Sequence, residues 1–171
     1  MDNLSHIERL LPELRAYARS ICSLHSNAED LVQDTVERAL RAENRPTPID
    51  ELRPWMFRVL RNLHYDELRK RRVRREYFTS QKRLLDEWDT GADTARDVMV
   101  RLLFERLPED KREVLCLVDI MGLKYVEAAM VMDVPVGTVM TRVSRARSAL
   151  LDLVNGTDVP IAPVAEGAAK T

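Results

Sequence analysis

Arg58, Arg61, Asn62, Tyr65 and Arg69 recur at intervals that bring them to one side of a helix. Guanidinium groups bind phosphate, while an amide and a phenol supply hydrogen bonds and a ring to stack on. The set therefore suits bases that have left a duplex, together with the backbone that carries them. The same stretch runs into Arg69-Lys70-Arg71-Arg72-Val73-Arg74-Arg75, six cations in seven residues. A charged helix end gains from its own C-terminal dipole, but closely spaced like charges repel, so the dipole accounts for only about two or three of them.

A second set lies near the end of the chain. Tyr125, Ala128, Ala129 and Met132 fit the inward face of a short helix, and Asp133 sits where a sharp turn needs a left-handed residue. Val139, Val143, Ala146 and Leu150 then face a core. The opposite face presents Gly137, Thr141, Ser144, Arg145 and Ser148, flanked by Met140 and Arg142. Short hydroxyls and arginines near a helix N-terminus suit base edges and phosphates in a major groove. An ordinary three-helix packing unit with a solvated arginine face is the competing interpretation. A third set, Asp30, Gln33, Asp34 and Glu37, makes one acidic stripe, which taken alone is a solvated bundle face.

Enzyme signals are poor. There is no Gly-rich phosphate loop, His6, His25 and His64 are scattered, and Cys22-x-x-His25 has no second pair to complete a metal site. Cys22 is expected to be an inert buried thiol. No catalytic residue, metal ligand or cofactor is expected.

These sets need helices to position them. Residues 6–22 place Ile7, Leu10, Leu11, Leu14, Tyr17, Ala18 and Ile21 at helical spacing. Ser26-x-x-Glu29 has the form of a capping box and predicts a helix over 28–42, with Leu31, Val32, Thr35, Val36, Ala39 and Leu40 inward. Pro46 and Pro48 mark 43–50 as a loop. A third helix is expected over 52–75, with Pro54 in its first turn and a stripe of Met56, Val59, Leu60 and Leu63 reaching toward Leu68. Trp55 and Phe57 are expected in the core. Residues 76–97 lose the period and read as a linker, with helical character around 84–88. A second helical module spans 98–154: one helix ends near Leu107, Pro108 opens the next and Gly122 ends it, a short helix covers 124–132, and the last runs to about residue 154. The Ala/Pro/Gly-rich residues 155–171 read as a disordered tail.

Composition agrees with this plan. Of 171 residues, 45% are hydrophobic and 32% charged, with five glycines, which favours helix over sheet in a foldable chain. No apolar run approaches the roughly 20 residues of a membrane span, and residues 1–11 mix charges into their apolar positions, unlike a signal peptide. A cytoplasmic location is therefore expected. The net charge of −1 argues against a nucleic-acid binder, but its distribution does not. Residues 51–75 hold nine basic and three acidic groups, a net of +6, whereas 1–50 and 76–113 each carry −3. Concentrated positive charge between acidic neighbours is the footprint of a phosphate-binding face.

Together these segments resemble the extracytoplasmic-function (ECF) sigma factors of the bacterial sigma-70 family, from about Leu4 to Leu153. Asn27-Ala28-Glu29-Asp30-Leu31-Val32-Gln33-Asp34-Thr35 looks like the family's polymerase-binding helix. Leu52-Arg53-Pro54-Trp55-Met56-Phe57-Arg58-Val59-Leu60-Arg61-Asn62-Leu63, with Asp66 and the basic run, looks like the helix that reads and melts the minus-ten element. Leu107-Pro108-Glu109-Asp110-Lys111-Arg112-Glu113-Val114-Leu115 and the stretch from Val134-Pro135-Val136-Gly137-Thr138-Val139 to Ser144-Arg145-Ala146-Arg147 look like the domain that reads the minus-thirty-five element.

The resemblance implies an all-α fold of two small domains, a sigma2-like helical bundle over 1–75 and a sigma4-like helix-turn-helix over 98–154, joined by a flexible linker. It implies core RNA polymerase contacts at Asp30, Gln33, Asp34 and Glu37. Minus-ten DNA would meet Arg58, Arg61, Asn62, Tyr65, Arg69 and Arg72, and minus-thirty-five duplex would meet Thr138, Met140, Thr141, Arg142, Ser144 and Arg145. The loop 43–51 would help capture a flipped base. Met140 stands where the family commonly has Lys or Arg, and Thr141 where Ser is usual, so one phosphate or base contact is expected to be lost. An anti-sigma partner that holds the factor inactive until a stress signal is a further implication. A free-standing repressor would share the helix-turn-helix but has no use for an acidic stripe followed by a basic helix with Asn and Tyr; a nucleic-acid enzyme would need a catalytic cluster.

Overall fold

The computed structural model describes residues 3–22, 25–74 and 95–156. Every regular element among them is helical: α1 (Asn3–Ile21), α2 (His25–Arg41), α3 (Ile49–Arg74), α4 (Ala95–Glu105), α5 (Glu109–Leu115), α6 (Tyr125–Met132) and α7 (Val136–Val154). A π-helical turn, Cys116–Ile120, continues α5. None of these helices is long and apolar enough to cross a membrane.

The apolar stripes read from the sequence do bury. Ile7, Leu10, Leu14, Tyr17, Ala18 and Ile21 of α1 meet Leu31, Val32 and Ala39 of α2 and Leu52, Met56, Phe57 and Leu60 of α3. Tyr17 and Phe57 meet edge to face, with ring centroids 5.3 Å apart at 83°, a geometry that adds about 0.5–1.5 kcal/mol to the burial itself. In the second half, Val139, Val143, Ala146 and Ala149 of α7 close on Val114, Leu115 and Leu117 of the α5 segment and on Ala128, Ala129, Val131 and Met132 of α6. The two halves do not stop at separate cores: α1 packs on α5 and α3 on α6, so one apolar cluster runs through both.

Several expectations shift. α2 starts at His25, placing Ser26 inside the helix instead of at its cap; Glu29 pairs with Arg15 and Arg19 of α1, at 3.3 and 3.4 Å. α3 starts at Ile49, so Pro54 lies beyond the first turn and forgoes one helical hydrogen bond. Leu40, expected inward, is 49% exposed, and Leu68 is also exposed. α4 begins at Ala95, inside the stretch read as a linker. The rest of that stretch, including residues 84–88, and the tail from residue 157 lie outside the described residues.

Candidate nucleic-acid interface

The turn that aims α7 is built as its sequence requires. Asp133 adopts the left-handed conformation, φ 54° and ψ 49°, and the Val134 N–H reaches back to the Ala129 carbonyl at 3.1 Å. That conformation costs a non-glycine residue roughly 1–2 kcal/mol, with Asp among the more tolerant types. Pro135 then precedes α7, whose amides at Thr138 and Val139 bond back to the Pro135 carbonyl at 2.9 and 3.2 Å. α6 and α7 thus form a helix-turn-helix, with Ala128 and Ala129 buried at the crossing and Tyr125 only partly covered.

On α7, Met140, Thr141, Ser144, Arg145 and Ser148 face solvent, with Thr138 and Arg142 half-buried at the edges. The Thr141 hydroxyl donates to the Gly137 carbonyl at 3.0 Å. Met140, 54% exposed, places a thioether in the middle of this polar face. Arg147 takes a different course. It binds both carboxylate oxygens of Asp119 at 3.0 and 2.5 Å, tying α7 to the π-helical turn, and that hydrogen-bonded pairing raises its already high pKa. Asp119 is 28 residues away in the chain, so no local pattern pairs the two.

The α3 set divides. Arg58, Asn62, Arg69 and Arg72 are exposed. Arg61 and Tyr65 are drawn instead to α5, where the Glu113 carboxylate, 1% exposed, accepts hydrogen bonds from three side chains. Arg61 Nε lies at 2.7 Å, Tyr17 Oη at 2.8 Å and Tyr65 Oη at 3.4 Å. The Arg61 guanidinium also lies 4.4 Å over the Tyr65 ring. Burial, reinforced by Glu113, pushes both phenols above their ordinary pKa. Burial would lower that of Arg61, but the Glu113 charge outweighs it and the net direction is up.

Beside this cluster, His64 Nε2 meets Glu109 at 3.1 Å, and its Nδ1 lies 3.8 Å from the Cys22 sulfur. Burial raises the Cys22 thiol to about 12 and that of Cys116 to about 11, so both are protonated and unreactive near neutral pH. Arg53, paired with Glu13 at 2.7 Å, also donates to the Met121 carbonyl across the seam. Glu113, Glu109, Tyr17 and His64 carry no signal as a set in the sequence; only helix packing assembles them.

The acidic stripe holds its form on α2. Asp30, Gln33, Asp34 and Glu37 are exposed or nearly so, and Glu37 pairs with Arg41 at 2.5 Å. Gln33 and Glu37 edge an open groove of about 510 Å³ between α1 and α2, floored by Leu11, Val32, Val36 and Leu40. Among the described residues, no cluster of three His, Cys, Asp or Glu side chains could hold a metal ion.

A bundle with an acidic stripe and a basic helix, joined in one chain to a helix-turn-helix, has the features of a nucleic-acid-binding protein. Comparison with known proteins says which. Residues 6–74 match the model of Sigma-70 region 2, and residues 97–150 match that of Sigma-70, region 4. The chain is 37% identical over 145 residues to the ECF RNA polymerase sigma factor EcfG of Rhodopseudomonas palustris, covering 84% of this chain and 80% of that one. It is 36% identical over 127 residues to the ECF RNA polymerase sigma factor SigC of Mycobacterium tuberculosis, covering 73% and 69%. Among solved structures it is similar to the sigma factor RpoE in complex with the anti-sigma factor NepR from Bartonella quintana, with a TM-score of 0.74 at 32% identity over 88% of this chain and 95% of that one. CnrH, in complex with the cytosolic domain of CnrY, aligns with a TM-score of 0.63 at 27% identity over 91% and 89%. The chain belongs to the sigma-70 family of RNA polymerase sigma factors, within its ECF group.

Proposed function

We propose that this sigma factor divides its work among three surfaces: α2 docks on core RNA polymerase, α3 reads and holds the melted minus-ten strand, and α7 reads the minus-thirty-five duplex. The observation that carries this reading is the solvent-facing row Thr141, Ser144, Arg145 and Ser148 on a helix aimed by a tight left-handed turn. Short and forked donors on a rigid helix match base edges in a major groove. The units are 1–75 for polymerase and minus-ten contacts and 98–154 for minus-thirty-five contacts, with 76–97 as the connector. The chain performs no catalysis of its own and acts in the cytoplasm, where the polymerase works.

Regulation by an anti-sigma protein is part of the same reading. Two similar sigma factors are solved with a partner bound, the anti-sigma factor NepR in one case and the cytosolic domain of CnrY in the other. A stress signal would release the factor from its partner.

The polymerase surface gives the most direct test. Asp34 is exposed and central in the acidic stripe, so Asp34→Arg reverses charge without disturbing the core. Charge pairs across an interface couple by about 1.5–7 kcal/mol when close. Asp34→Arg is expected to lose competition for core polymerase, and promoter-directed transcription with it, while its far-ultraviolet circular dichroism stays unchanged. Equal competition by the reversed protein would refute the docking assignment.

A further inference from the structure

The first turns of α7, directly after the Asp133 turn, expose apolar side chains where a recognition helix meets base edges. Met140 is 54% exposed and Val136 36%, one helical turn apart on the same side. Gly137, beside them, carries no side chain, and the space where one would stand has no neighbour within 4 Å among the described residues. The Thr141 hydroxyl spends its proton on the Gly137 carbonyl, so it can accept from a base but has no donor to offer. Exposed side-chain donors on this face begin a turn later, at Ser144 and Arg145, with Arg142 half-buried at the edge.

Apolar residues scattered singly over a surface need no explanation. These two are neighbours, and they lead the row that faces the groove. A major groove offers hydrogen-bonding edges and one apolar group, the 5-methyl of thymine. An apolar side chain laid on any other edge leaves donors or acceptors desolvated and unpaired, which costs free energy. We propose that Met140, backed by Val136, is a specificity-determining residue of the minus-thirty-five contact: it packs on a thymine 5-methyl and so selects an A·T pair in one orientation. The proposal rests on α7 being the duplex reader. An unbranched thioether suits the task, since its rotatable bonds let it follow a methyl group as the groove deforms.

The test begins with the factor assembled on core polymerase, selecting sites from a pool of random-sequence duplex DNA. The enriched upstream element is then remade with each thymine replaced in turn by uracil, which lacks only the 5-methyl. For the unmodified factor, one uracil in that element is expected to weaken binding about fourfold, the effect of uncovering one methyl-sized apolar group. Met140→Ala, at an exposed position that leaves the core intact, is expected to bind the thymine and uracil duplexes equally. Val136→Ala is expected to keep part of the difference. Met140→Lys is expected to lose the difference and to steepen the salt dependence of binding by about one released counterion. An upstream element with no fixed thymine, or one in which no uracil matters, overturns the proposal. So does a uracil effect that survives both Met140 variants. Arg145→Ala separates these failures from failure of the underlying reading. If Arg145→Ala binds the selected duplex as tightly as the unmodified factor, α7 does not read it, and the proposal falls with that assignment. If Arg145→Ala weakens binding while uracil does not, α7 reads the duplex and only the methyl contact is refuted.

Discussion

α3 and α7 are both long helices with one buried face and one polar face, yet their polar faces meet different surroundings. That of α7 exposes Met140, Thr141, Ser144, Arg145 and Ser148, and the tie from Arg147 to Asp119 lies outside that row. That of α3 is divided: Arg58, Asn62 and Arg69 are exposed while Arg61 and Tyr65 close onto Glu113. A duplex reader can stay exposed because intact duplex only needs a matching surface. A surface that holds unpaired bases needs rings and forked cations, the same groups a carboxylate and a neighbouring helix can occupy. The difference teaches that composition sets what a helix face can bind, and packing sets how much of that face is left uncovered.

The largest expected effect tests whether the two halves behave as one body. Leu60 of α3 and Val143 of α7 are both buried in the continuous cluster. Leu60→Ala is expected to cost about 2–5 kcal/mol, and Val143→Ala less, because fewer atoms are removed. Calorimetry should show both variants lowering a single shared transition. A separate transition for each half would break the comparison at its base, since the cover over Arg61 and Tyr65 of α3 would then not be a fixed part of the fold.

A smaller effect sharpens the division of labour. Arg145→Ala removes a forked donor from α7 and is expected to weaken binding at the upstream duplex element by about 1–3 kcal/mol. Binding should be largely restored on pre-melted DNA bearing only the downstream element. Asn62→Ala should do the reverse, sparing upstream duplex binding while lowering open-complex formation, followed by permanganate reactivity of unpaired thymines. Equal defects of both variants on both templates would erase the distinction between the two faces.

The smallest effect concerns how α7 is aimed. Asp133 holds a positive φ that Gly adopts without steric cost. Asp133→Gly is expected to stabilise the chain by up to about 1 kcal/mol, or roughly 2–4 °C in melting temperature for a protein of this size. Promoter affinity should not change, because the turn keeps its shape. A lower melting temperature would mean that the Asp side chain contributes more to the turn than its backbone conformation costs.

Much of this architecture is legible in the amino-acid sequence. Apolar residues at helical spacing predict the buried faces of α1, α3 and α7, because a helix must bury its stripe wherever it docks. The exposed residues Met140, Thr141, Ser144 and Arg145 and the acidic stripe on α2 follow from the same periodicity, and the Asp133-Val134-Pro135 turn from its residue types. Boundaries are less legible: Ser26-x-x-Glu29 has a capping pattern, but Glu29 is used by Arg15 and Arg19 across the bundle, and α2 begins earlier.

What the sequence determined by itself is the set of faces, since each depends on residues within a few turns of one another and on the fixed pitch of a helix. What only the tertiary structure decided is which faces meet. Tyr17, Arg61 and Tyr65 lie between 48 and 96 residues from Glu113, and no local spacing links them. A carboxylate buried at a helix crossing is tolerable only where donors from other helices converge on it. That convergence is a property of how α1, α3 and α5 pack, and it is what leaves the polar face of α7 exposed and that of α3 partly covered.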